Sequence, residues 1–250
     1  MKLESLLQYL TEYLRLEEFP DYPLAENGLQ VEGPETVTSI CVAVDASEAV
    51  INEASQRGCD LLIVHHGLFW DGRHKVTGPR YRKLHTLITR GLALFSAHLP
   101  LDAHPEVGNC AILARELGVE RLERFGTYAG EACGWWGILD ADREVFRETI
   151  AAVVAGPVKL IPGGPEQLHR IAVVTGGAAG MISEAADAGI DALVTGEGAH
   201  HSFHEAMELG VNAYYAGHYA TETWGVKALG AHIEERFEIP WEFIDAPTGL

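Results

Sequence analysis

Two adjacent histidines, His65 and His66, close the apolar run Leu61-Leu62-Ile63-Val64. His98 and Asp102 stand four positions apart in His98-Leu-Pro-Leu-Asp102, and His218 and Glu222 share that spacing in His218-Tyr-Ala-Thr-Glu222. Imidazole nitrogen and carboxylate oxygen, without thiolate, suit divalent Zn, Fe, Mn, Co or Ni. Successive side chains on a strand point to opposite faces, so His65 and His66 could serve two ions, one each. A carboxylate can bridge two such ions and hold them about 3.5–4 Å apart. A single strand-end histidine is more often an ordinary polar residue than a ligand. The pair and both His-x-x-x-carboxylate pieces together outweigh that reading. The chemistry expected is that of two divalent metal ions per chain.

The elements that must position these residues come from a repeat. Residues 40–67, ICVAVDASEAVINEASQRGCDLLIVHHG, align without gaps to residues 171–198, IAVVTGGAAGMISEAADAGIDALVTGEG. Each copy has an apolar, β-branched run, a small-residue turn, a helix-period stretch, a Gly-x-Asp stop and a second apolar run. That order predicts strand–helix–strand, the unit of a parallel sheet. A further strand follows each copy, Leu92–Ala97 before His98 and Asn212–Gly217 before His218. In open α/β sheets, ligands bind beyond the carboxyl ends of the strands, where all these histidines fall. The fold class expected is α/β: two similar α/β domains from an internal duplication, each with a mixed or parallel sheet flanked by helices. Outside the repeat, leucine spacing predicts an amphipathic helix over 2–18, a loop over 19–27, a short strand before Gly33, a strand over 136–139 and a helix over 142–154.

The chain has 250 residues and a formal net charge of −18, which repels phosphate backbones and anionic membranes and makes nucleic acid an unsuitable partner. An anionic small molecule is still compatible, because bound cations dominate the field of a metal site. No apolar run approaches the length of a membrane span and no signal peptide is visible, so a cytoplasmic location is expected. Cys41, Cys59, Cys110 and Cys133 form no C-x-x-C pair and are expected as free, buried thiols. His74, His85 and His169 lie in polar or helical stretches and are expected to be solvated. His200, His201 and His204 cluster just after Gly196-Glu197-Gly198, where the second copy has Gly-Glu in place of His-His. That cluster could line a pocket, or it could be a solvated helix start.

The stretches Asn27–Gly33, Ile63-Val-His-His-Gly-Leu-Phe-Trp70, His98-Leu-Pro-Leu-Asp-Ala-His-Pro105, Thr195-Gly-Glu197 and Ala216-Gly-His218 with Glu222 resemble a known family over nearly the whole chain. It is the dinuclear-metal family called GTP cyclohydrolase 1 type 2 homologs, or NIF-three-like proteins, and within it the YbgI-like bacterial branch. The resemblance implies a discontinuous metal-binding α/β domain, residues 1–125 plus 210–250, and a second α/β domain, residues 126–209. It implies the ligands His65, His66, Asp102, His218 and Glu222, with Glu222 bridging and His98 as a neighbour, a sixth ligand or an acid–base group. It further implies a toroidal homohexamer with its sites facing an internal cavity. The activity implied is that of a metal-dependent hydrolase, GTP cyclohydrolase-like and acting on C–N bonds, with an anionic small molecule or nucleotide as substrate. The alternative is a non-enzymatic metal storage, delivery or interaction protein.

Overall fold

A computed structural model describes residues 1–70, 72 and 74–250. In chain order the elements are α1 (Leu3–Tyr13), β1 (Gly28–Val31), β2 (Ile40–Asp45), α2 (Glu48–Arg57), β3 (Leu61–His66), α3 (Gly78–Arg90), β4 (Ala93–Ser96), α4 (Leu99–Asp102), α5 (Asn109–Glu116), β5 (Glu120–Tyr128), β6 (Glu131–Asp142), α6 (Arg143–Val153), β7 (Lys159–Pro162), β8 (Gln167–Val173), α7 (Ile182–Asp187), β9 (Ala192–Thr195), α8 (Ser202–Leu209), β10 (Asn212–Tyr215), α9 (His218–Thr221), α10 (Thr223–Phe237) and β11 (Trp241–Phe243). The chain is α/β and forms two compact units, Met1–Leu101 with Gly225–Ala246, and Asp102–Trp224 with Pro247–Leu250. Among the described residues no helix is long and apolar enough to cross a membrane.

The first unit holds a five-stranded sheet, β1-β4-β3-β2-β11, parallel except for β1. Five of the six residues of both β2 and β3 are buried, as expected of parallel strands covered on two faces. Val50, Ile51 and Ala54 of α2 and Leu87 of α3 join Cys41, Ala43, Leu62 and Val64 of the sheet in one core. The Ser47 hydroxyl accepts from Val50 N at 3.1 Å and starts α2, a cap worth about 1 kcal/mol. Gly58, at φ +73, ends that helix in the left-handed conformation glycine adopts without strain.

The second unit holds a six-stranded sheet, β5-β6-β8-β9-β10-β7, with β8, β9 and β10 parallel. The series β7-β10-β9-β8 repeats β1-β4-β3-β2, and β7, like β1, lies antiparallel on its neighbour. The duplication reaches individual hydrogen bonds. Asp60 Oδ2 accepts from Thr38 N and Ser39 N, and its repeat mate Asp191 accepts from His169 N and Arg170 N, both at 2.8 Å. Each aspartate thereby ties the entry of one strand to the entry of its parallel partner.

Four features differ from the sequence expectation. The units divide at residues 101/102 and 224/225 instead of 125/126 and 209/210, because β5 extends the second sheet and β10 pairs with β9 and β7 within it. Helix α1 stops at Tyr13 although the leucine period runs on to the buried Leu14, because Arg15 turns to φ +55. The strand expected at 136–139 is the middle of the longer β6, and its partner β5 carries too many exposed charges to show strand alternation. Cys41 and Cys59, expected as thiols, form a disulfide. Cys41 lies on β2 and Cys59 just before the adjacent β3, and their Cα atoms are 5.9 Å apart, within bridging range.

Candidate metal centre

In the first unit, His65 and His66 end β3, and His98 follows β4 by one residue past Ala97. His65, fully buried, donates through Nδ1 to Ala97 O at 3.0 Å. His66 donates through Nδ1 to Oδ1 of Asp45 at 2.8 Å, the residue opposite it on β2. His98 donates through Nδ1 to Oδ1 of Asp21 at 2.8 Å. Asp21 also accepts from Asn27 Nδ2 and Leu99 N, and Asn27 Oδ1 accepts from His98 N, so that loop is clamped to the strand end. Burial raises the Asp21 carboxyl, but hydrogen bonds from His98, Asn27 and Tyr22 N and the His98 charge outweigh it and hold the group below its usual range.

Each Nδ1 faces a carbonyl or carboxylate oxygen and donates to it, which leaves Nε2 as the nitrogen able to face a metal. The ligand atoms of His65, His66 and His98 lie within 4.8 Å of one another. Strand alternation predicted divergent His65 and His66 side chains. Their rings instead lie 4.6 Å apart, with planes at 48°.

In the second unit, ligand oxygens of Asp102 and Glu222 lie within 4.8 Å of each other, and both residues are buried. Asn109 Nδ2 and Thr175 Oγ1 both donate to Asp102 Oδ1, each at 2.9 Å. His218 opens α9 and Glu222 follows it, which puts His218 Nε2 3.2 Å from Glu222 Oε1. His218 Nδ1 donates to Glu197 Oε1 at 2.8 Å. The Glu222 hydrogen bond raises the His218 imidazole to about 9, against burial and with help from the charges of Glu222 and Glu197.

Glycines make room for this set. Gly176 has φ +67, and a Cβ there would strike the Glu222 carboxylate. A Cβ on Gly196 would lie 2.7 Å from both Gly176 O and His218 Cα. The first copy has Asp45 and His65 at these two repeat positions.

The six candidates therefore fall into two sets of three, His65, His66 and His98 in one unit and Asp102, His218 and Glu222 in the other. The first is a cluster of imidazoles that could hold a metal ion, and in the second Glu222 has ligand atoms within 4.8 Å of ligand atoms of both Asp102 and His218. His200, His201 and His204 are exposed at the start of α8, and His74, His85 and His169 are exposed as expected. The sequence reading missed Asp21, Asp45, Asn109, Thr175 and Glu197, which orient the candidates. Glu197 had a signal, since it occupies the repeat position of His66, and so did Asp45, a carboxylate at a strand end.

A family model described as Duf34/NIF3 (NGG1p interacting factor 3) matches residues 1–248. The GTP cyclohydrolase 1 type 2 homolog of Deinococcus radiodurans is 44% identical over 249 residues, covering 99% of this chain and 94% of the relative. That of Escherichia coli K12 is 40% identical over 252 residues, covering 99% of each. The crystal structure of TTHA1606 from Thermus thermophilus is similar at a TM-score of 0.93 and 42% identity, with full coverage of both chains. HcgD from Methanocaldococcus jannaschii, at 25% identity, superposes at a TM-score of 0.86 over 98% of each chain. With a family match over nearly its whole length, the chain belongs to the Duf34/NIF3 family.

Proposed function

We propose that the two sets of three serve one dinuclear divalent-metal centre and that the protein is a metal-dependent hydrolase. The observation that carries this reading is the common orientation of the imidazoles. His65, His66, His98 and His218 each have Nδ1 tied to an oxygen, of Ala97, Asp45, Asp21 and Glu197 respectively. This is the usual setting of metal-ligating histidines, whose second nitrogen is held by a carboxylate or carbonyl. The donor set fits two ions better than one. Three imidazoles with one imidazole and two carboxylates exceed what a single tetrahedral site uses. Only three residues separate His98 from Asp102 in the chain, which supports a shared centre.

His65, His66, Asp102 and His218 would hold the ions and Glu222 would bridge them. Bound divalent ions supply Lewis acidity to an electrophilic carbon or phosphorus and to the water that attacks it. The remaining work falls to the protein. Asn109 and Thr175 donate to Asp102 Oδ1 and fix the carboxylate that would hold the cation. Asp21 holds His98 in the tautomer with an accepting Nε2, from which it can take a proton from water or serve as a sixth ligand. The relatives' designation supports a substrate with a hydrolysable ring C–N bond, such as GTP, and we extend that class to this chain. A homohexamer and a cytoplasmic location belong to the same proposal. Light scattering showing a stable 27.2 kDa monomer would remove the hexamer.

The test is metal content, then turnover. The purified protein loaded with zinc or manganese should hold about two ions per chain. Replacing His65 and His66 together by Ala should remove most of that metal, with circular dichroism checking that the fold survives the loss of the buried His65, and the half-buried His66→Ala alone should already lower it. Normal metal content in that variant would overturn the centre. Two ions without turnover of GTP or simple phosphoesters would favour storage or delivery.

A further inference from the structure

Two aromatic side chains stand against the first histidine set, and the metal chemistry above uses neither. The Trp70 indole meets the His98 imidazole edge-on, with centroids 4.4 Å apart and planes at 86°, and lies 5.4 Å from the His66 ring. The Tyr22 ring lies 5.2 Å from His98 and 6.2 Å from Trp70. Tyr22 is 49% exposed, although the His98 beside it is only 7% exposed. An aromatic side chain recruited for packing alone would bury its faces. Here the Tyr22 ring is half-exposed beside the buried His98 imidazole.

The segments carrying the rings are tethered. Tyr22 follows Asp21, which is clamped to His98, Leu99 and Asn27. Before Trp70, Leu68 N donates to Gln30 Oε1 at 2.6 Å, Arg80 donates to Leu68 O at 2.9 Å, and Phe69 O accepts from Glu26 N at 3.0 Å. These hydrogen bonds fix the segments that carry the two rings.

We propose that Tyr22 and Trp70 form a stacking wall for the planar ring of the substrate, which is a heteroaromatic compound carrying an anionic group. This rests on the metal-centre reading above and gives its substrate a recognition site. The two halves of such a ligand match two local features. The wall adjoins His66 and His98, so a ring stacked on it would lie beside the metals, and a chain of net charge −18 would draw the anionic group only toward those same cations. An uncharged planar ring is recognised by aromatic faces, which stack on it without a sequence of specific hydrogen bonds.

The experiment is calorimetric binding of guanosine 5′-monophosphate and of ribose 5-phosphate, which differ by the ring, to the zinc-loaded full chain, with metal content measured on every sample. The nucleotide should bind about tenfold tighter, the size of one base–aromatic stack. Tyr22→Ala and Trp70→Ala should each bring it toward the affinity of ribose 5-phosphate. Neither should change the affinity for ribose 5-phosphate or the metal content, and Trp70→Phe should retain most of the preference. If Trp70→Ala does not fold, the half-exposed Tyr22→Ala decides. Equal affinities in the unaltered protein, no binding of either compound, or a preference that survives Tyr22→Ala would overturn the wall. Those outcomes with two ions bound leave the metal centre standing. A protein that takes up no metal overturns the centre and the wall together.

Discussion

The two copies of the βαβ repeat end in opposite solutions to one problem. In the first, the strand ends themselves supply donors: His65 and His66 close β3, and Asp45 at the end of β2 orients His66. In the second, the same positions are emptied. Gly176 replaces Asp45 and Gly196 replaces His65, and the space goes to His218 and Glu222, which enter from beyond β10. Glu197, at the His66 position, keeps a polar side chain but uses it to hold His218. The first unit thus presents three imidazoles, two held by acids and one by a carbonyl, whereas the second presents acids with one imidazole. A duplicated frame can therefore furnish both kinds of donor by trading side chains between ligand and support roles.

The largest expected effect lies in the second set. If Glu222 bridges, Glu222→Gln should leave fewer than about one ion per chain, because a neutral amide cannot take the place of a shared carboxylate. Asp102, held through Oδ1 by Asn109 and Thr175, should serve mainly one ion, so Asp102→Asn should retain roughly one. Elemental analysis of both variants at matched free metal decides. Two ions retained in Glu222→Gln with none in Asp102→Asn would invert these roles.

Next comes the emptied position. Gly176→Ala places a Cβ against the Glu222 carboxylate and asks a non-glycine residue to hold φ +67. It should cost about 1–3 kcal/mol of stability in urea unfolding and lower metal affinity as well. Gly58→Ala is the control: its φ is +73 but nothing lies within 4 Å of the added Cβ, so it should lose stability without losing metal. Equal metal loss in both variants would show that backbone strain, and not room for Glu222, explains the glycine.

Smaller effects should follow from the supporting acids. Asp45→Ala and Glu197→Gln each release one imidazole, and partners of this kind are typically worth about 10–100-fold in metal affinity. The repeat predicts similar losses in the two variants despite their different parts in it. Competition with a chelator of known affinity measures both. No loss in either would mean that the imidazoles are oriented by packing alone.

What could be read from the sequence follows from the range of the interactions. The βαβ copies were visible because strand burial and helix period are local patterns, and the candidate ligands were visible because they sit at the ends of those patterns. Two of the supporting residues were hidden by distance along the chain: Asp21 lies 77 positions from His98 and Thr175 lies 73 from Asp102. The Cys41–Cys59 bond, 18 positions apart, was hidden for the same reason, since only strand pairing makes the two cysteines neighbours. Strand β5 was hidden because Glu120, Arg121, Glu123 and Arg124 crowd its first half and break the alternation of a strand.

Cysteines extend the contrast between the units and give the smallest predicted effect. The first unit has its pair in a disulfide, whereas Cys110 and Cys133 of the second are buried free thiols. Burial pushes the Cys133 thiol up to about 12, with a further contribution from the Asp102 charge. Burial raises Cys110 as well, again helped by Asp102, against the hydrogen bond to Thr175. An unfolded thiol ionises at about 8.5. Both groups therefore hold their protons more tightly in the folded chain, and the stability this adds is fully present below that value. It is lost as pH rises from there toward the folded values, so unfolding in urea should become easier above about pH 9. Iodoacetamide at pH 9 should label neither thiol in the native protein and both in urea, because alkylation needs an exposed thiolate. Cys41 and Cys59 should resist labelling in urea until a reductant is added. Four labelled cysteines in urea without reductant would remove the disulfide, and rapid native labelling of Cys133 would show that its pocket opens to solvent.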